Sequence, residues 1–195
     1  TWHLQLAIFF VAASYLAIGI FLAPMIAGKE PPHQDKLALV LFGALVVVVL
    51  GSLAGEMASY HDVIASPAVA WWFGAQGWEY LELGRFWQIA LTAGLVLWLV
   101  IVVRGLAGKL RDEHPGSMPW LFVYSALSIP LFYGAGMLYG PKSHFTVVDF
   151  WRFWVVHLWV EDFLEVFTTI TVAYMFVLIG MVPARTATRL IYLEI

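Results

Sequence analysis

"WRFWVVHLWVEDFLEVFTTI", Trp151 to Ile170, sets one histidine and three carboxylates among aromatic and branched apolar residues. On an α-helix, residues four apart share a face and stand about 6 Å apart along the axis. His157, Glu161 and Glu165 therefore form one stripe. Asp162 is turned about 100° from Glu161 in such a helix, and Arg152 lies a little more than one turn before His157. Imidazole and carboxylate on one face make half a site for a non-haem metal. Together they suit iron, and imidazole alone suits copper or zinc as well. A bound cation also relieves the cost of burying the carboxylate. Glu165, one turn further, is placed to pass protons rather than to bind metal. The competing reading is structural: these groups pair with Arg or Lys of neighbouring helices and hold a bundle together. Ionisable groups in membrane spans are costly and mark function, but transporters use them as metalloenzymes do.

Other residues carry weaker chemistry. His3 opens an apolar helix, as an interfacial histidine or as the axial ligand of a haem between helices. Glu79 and Glu82, in "GWEYLELGR", are three apart in a link. They form either a solvated short helix or a hard-carboxylate site for calcium or for bracing haem propionates. His33, His61, His114 and His144 fall in links and are expected to face water. The absence of cysteine excludes disulfides, thiolate metal sites and cysteine nucleophiles.

The elements that must position these groups read as membrane spans. Hydrophobic residues make up 62% of the 195 and charged ones only 12%, against roughly 25% charged in soluble domains. A net charge of −3 gives no footing for a nucleic-acid partner. Uncharged runs at Leu4–Gly28, Leu37–Gly55, Phe86–Val103 and Ser117–Pro141 are long enough to cross a bilayer. A fifth helix is expected from about Val148 to Val182, and Thr186–Ile195 would open a sixth. The fold expected is all-α: one polytopic transmembrane bundle over residues 1–195, with about five complete spans and a truncated sixth. The abrupt apolar start at Thr1 and the close on "ATRLIYLEI" suggest a piece of a longer membrane protein. Lys29, Lys36, Arg104, Lys109, Arg111, Arg185 and Arg189 fall on one side if the spans alternate, which makes that side cytoplasmic. His3 and the Glu56–Arg85 link, rich in Trp and Tyr, are then outside. His157 then lies in the outer half of the bilayer, at a depth similar to that of His3.

"WRFWVVHLWVEDFLEVF" resembles the motif of the catalytic subunit of respiratory nitric oxide reductases, in the haem-copper oxidase superfamily. "TWHLQLAIFF" is similar to the helix start that carries a haem-ligating histidine there. "GSLAGE", "GWEYLELGRFWQI" and "IPLFYGAGMLYGPKSH" resemble the quinol-dependent branch. The resemblance implies that His157 and Glu161 are ligands of a non-haem iron beside high-spin haem b3. It makes His3 an axial ligand of low-spin haem b, and Glu165 a proton-relay and electrostatic residue. Glu79 would match a glutamate near the haem propionates, where relatives hold calcium, and Glu82 a second one nearby. Oxygen-reducing relatives with copper typically carry tyrosine four residues after the corresponding histidine. Here Glu161 stands at that turn, which favours iron. Glycine is expected after Glu161 in the family, and Asp162 departs from it, free to alter proton traffic or to pair with Arg152 of the same helix or with a cation elsewhere.

The implied reaction is 2 NO + 2 e⁻ + 2 H⁺ → N₂O + H₂O, in a bacterial or archaeal cytoplasmic membrane, with quinol or cytochrome c as donor. Glu161 and Glu165 would be its catalytic carboxylates. The family's other iron and haem histidines would come from the C-terminal remainder of the same protein. The alternatives are a nitric oxide dismutase-like or oxygen-reducing relative, or a non-catalytic membrane subunit that uses Glu161 and Glu165 for ion pairs.

Overall fold

The computed structural model describes residues 2–76 and 83–194, and every regular element among them is helical. The order is α1 (Trp2–Ala27), α2 (Gln34–Tyr60), the short α3 (Pro67–Phe73), α4 (Arg85–Asp112) and α5 (Met118–Ala135). The fifth expected span is a continuous helical run that changes winding on the way. It passes from α6 (Phe145–Phe153) through a π-helical segment (Trp154–Phe163) into α7 (Leu164–Leu178). α8 (Ala184–Glu194) follows where a sixth span was expected to open. Among the described residues, four helices are long and apolar enough to cross a membrane: Gln5–Ala27, Gln34–Tyr60, Arg85–Asp112 and Met118–Ala135. The chain is an all-α, polytopic helical bundle.

Two helix ends differ from expectation, each for a local reason. α5 stops at Ala135 rather than running to Pro141, because Gly134, Gly136 and Gly140 are poor helix formers. The chain turns there through Met137 and Leu138, whose N–H groups bond back to Gly134 and Ala135. α7 stops at Leu178, short of Val182. Gly180 takes a left-handed φ of 77°. Its N–H bonds to Val177 O, and that of Met181 to Phe176 O. That double closure is the Schellman cap, which needs glycine at its left-handed position.

α4 is the centre of the bundle and packs against α1, α2 and α5. Trp98, Ile101 and Leu106 on it are fully buried. The Trp98 indole stands edge-on to Phe167 of α7, ring centres 5.5 Å apart, and donates Nε1–H to Leu16 O of α1 at 2.8 Å. Gly105 lets α4 approach α1: a Cβ there would stand 2.8 Å from Ala23 Cβ. Small residues at such crossings replace the hydrophobic drive that lipid does not supply. At one end, Arg104 donates to Pro32 O at 3.0 Å, and Lys109, Arg185 and Arg189 line one groove. At the other, Gln5 Nε2 donates to Ser52 Oγ at 3.0 Å, and Arg85 donates to the carbonyls of Met137 and Tyr139. The basic links thus gather at one end of the bundle, opposite the start of α1.

Candidate functional site

The π-helical segment is pinned to α5 by its aromatic residues. Trp154 Nε1–H donates to Phe132 O at 2.8 Å, and Trp159 Nε1–H to Ile129 O at 2.9 Å. Phe163 lies flat on Phe132, ring centres 3.8 Å apart and planes 5° from parallel. Val155 and Trp159 are buried, and a Cβ at Gly136 would collide with Val155. With that face held, the opposite face presents His157 and Glu161. Leu164 N–H bonds to Trp159 O, five residues back, which is the π-helical closure. Such turns are rare and cluster at functional sites.

His157 Nδ1 stands 3.0 Å from Glu161 Oε2, with side chains 48% and 58% exposed. This separation is within hydrogen-bonding distance. It is also the spacing of adjacent ligands on a first-row ion such as zinc, whose bonds to imidazole and carboxylate run about 2.0–2.2 Å. The pair therefore fits a metal as half of a ligand set. Among the described residues no group of three His, Cys, Asp or Glu side chains converges as a full set would. The Phe153 ring flanks the imidazole, centres 4.6 Å apart.

Glu161, Asp162 and Glu165 together line a cavity of about 530 Å³ against Ser125, Ser128 and Tyr124 of α5. The π-helical winding changes the rotation from one residue to the next, and all three carboxylates border that one cavity. Arg152 is buried and lies 3.6 Å from Asp149, on its own helix, rather than pairing with Asp162. Among the described residues neither Asp162 nor Glu165 makes an ion pair.

His3 is exposed in the first turn of α1. Two residues on, Gln5 lines a narrow cavity of about 50 Å³ with Tyr133, Val155 and Trp159. The start of α1 and the π segment are therefore level with each other, as the span count expects. Glu79 and Glu82 lie outside the described residues. His33, His61, His114 and His144 are exposed in the links.

A polar cluster that sequence reading missed sits at the same end. Arg85 is buried at the start of α4. It donates to Met137 O and Tyr139 O, each at 2.7 Å, and its guanidinium lies between the Trp71 and Tyr139 rings at 5.0 and 4.4 Å. Gln88 Nε2 donates to Tyr139 Oη at 3.0 Å, and that hydroxyl donates to Gln76 Oε1 at 2.7 Å. Burial pushes the Tyr139 phenol above its ordinary value, opposed by the Gln88 hydrogen bond and the Arg85 charge. Glu56, near the end of α2, is also buried. Arg85 bonds to backbone carbonyls far along the chain, and no spacing rule announces such partners.

These helices, with a histidine–carboxylate pair on the π-helical segment and a second histidine level with it, invite comparison with redox membrane proteins. The family model described as cytochrome c and quinol oxidase polypeptide I matches residues 1–195. The chain belongs to that family. None of the curated proteins compared with it matches. Membership of the cytochrome c and quinol oxidase polypeptide I family makes the chain a haem-binding, multi-pass membrane oxidoreductase of haem-copper oxidase type.

Proposed function

We propose that the chain is part of a quinol-dependent nitric oxide reductase, and that it supplies part of the site. The observation that carries the reading is the 3.0 Å contact between His157 Nδ1 and Glu161 Oε2. A carboxylate stands there at the turn where copper-containing, oxygen-reducing relatives typically place tyrosine, and imidazole with carboxylate suits iron. When bound, haem b3 and a non-haem iron supply the electron transfer by which two NO become N₂O and water, fed from quinol through haem b.

His157 and Glu161 would hold the iron, and His3 haem b. Glu161 lowers the net charge of the metal site. Glu165 and Asp162 line the groove beside it and would hold protons on their carboxylate oxygens. Ser125 and Ser128, facing them, offer hydroxyls through which a proton can pass. This polar face is exposed on a span, where bare carboxylates against lipid are costly. That cost supports further polypeptide covering it with the remaining iron and haem ligands. Glu79 and Glu82 would brace haem propionates or calcium.

The test is anaerobic NO consumption by the full-length membrane protein with reduced quinol, following N₂O. Two NO lost per N₂O formed is expected. Oxygen uptake by a haem-loaded protein that leaves NO untouched would overturn the reading in favour of an oxygen-reducing member. N₂ and O₂ as products would overturn it in favour of a dismutase.

A further inference from the structure

At the basic end of the bundle, α8 leans over the start of α5 and leaves a groove of about 640 Å³. Lys109, Arg185 and Arg189 line it, with Glu113. Lys109 Nζ lies 3.1 Å from Glu113 Oε1, so those two charges offset each other. Arg185 and Arg189 are exposed and make no ion pair among the described residues. Two guanidiniums four residues apart on one helix therefore line the groove, with the Glu113 carboxylate there taken up by Lys109. Its floor is the N-terminus of α5, where the Met118 and Trp120 amides carry partial positive charge and Pro119 supplies no N–H. The Ser117 hydroxyl there is buried and has no hydrogen-bond partner among the described residues. The walls are apolar: Ile26, Met118, Val177 and Leu178.

We propose that this groove binds the phosphate headgroup of an anionic phospholipid. Guanidiniums match phosphate oxygens with paired N–H donors, and the helix N-terminus and Ser117 Oγ–H add donors from below. Free inorganic phosphate shares that headgroup chemistry. The apolar residues favour the lipid, because Leu178 in the groove and Val172, Met175 and Phe176 along the same helix are exposed apolar side chains that acyl chains would cover. Basic residues mark the cytoplasmic side of a membrane protein, and basic pockets between spans there hold anionic headgroups. The site is independent of which gas the protein reduces.

The test uses the full-length holoprotein in detergent–lipid micelles with spin-labelled phosphatidylglycerol or phosphatidylcholine, read as the ratio of their association constants. Roughly tenfold preference for phosphatidylglycerol is expected, falling to about twofold in R185Q/R189Q. R185K/R189K, which keeps the charge, should retain most of the preference, and unchanged haem spectra in both variants would show that they fold. Equal affinity for the two lipids would overturn the proposal, and so would a preference that R185Q/R189Q leaves intact. Full displacement of the labelled lipid by inorganic phosphate would overturn the lipid source in favour of a free phosphate ion.

Discussion

α4 and the π-helical segment both run through the bundle and use their tryptophans in opposite ways. On α4, Trp98 is wholly buried and sits between α1 and α7. On the π segment, Trp154 and Trp159 anchor one side to α5 so that the other side can stay polar and exposed. One element spends its length on packing. The other gives up regular backbone and leaves one side exposed to hold a histidine and a carboxylate in contact. Stability and chemistry are thus carried by different helices, and substitutions should separate them.

The largest expected effect is on folding. Trp98→Ala should destabilise the protein by about 3–5 kcal/mol through the cavity it leaves, seen as a lower midpoint in thermal or detergent unfolding. Equal loss from His157→Ala would break the comparison. Next comes Glu161→Gln. The full-length protein should lose on the order of 10²–10⁴-fold in turnover, while its unfolding midpoint falls less than that of Trp98→Ala. Metal analysis of the same variant would show less bound iron. Trp159→Phe sharpens the contrast, because it keeps one aromatic ring while removing the indole's second ring and its hydrogen bond to Ile129 O. A stability loss of about 1–3 kcal/mol is expected from the lost hydrogen bond and the small cavity, with a changed haem spectrum if the anchor positions the site.

The smallest effect concerns alkaline pH. Burial raises the Tyr139 phenol, so its folded value lies above its unfolded one. Its contribution is present in full below the unfolded value and is lost as pH rises through the folded value. Wild type should therefore lose stability more steeply than Tyr139→Phe above about pH 10, the ordinary tyrosine value. Parallel alkaline unfolding curves would refute this.

The spans were legible because lipid demands long uncharged runs, and those runs stand in the sequence at Leu4–Gly28 or Phe86–Val103. The stops at Ala135 and Leu178 were less so, because they depend on glycine backbone states rather than on polarity. The His157–Glu161 contact was legible from spacing. The change from α to π winding was not, since a hydrophobic pattern carries no mark of it. Arg85 also escaped notice, because its partners are carbonyl oxygens of Met137 and Tyr139, with no complementary side chain to find.

The wider turns at Trp154–Phe163 also act as a phase adjuster. The residues before and after them answer to different neighbours: α6 keeps Arg152 at Asp149, while α7 aims Phe167 at Trp98 and Phe122. A helix of constant pitch would tie these two orientations to the direction of His157. The extra residue per turn frees them from each other. Deleting one residue between Trp154 and Phe163 would therefore not shorten the span so much as rotate one half against the other. Either the aromatic core or the acidic groove would then face the wrong way.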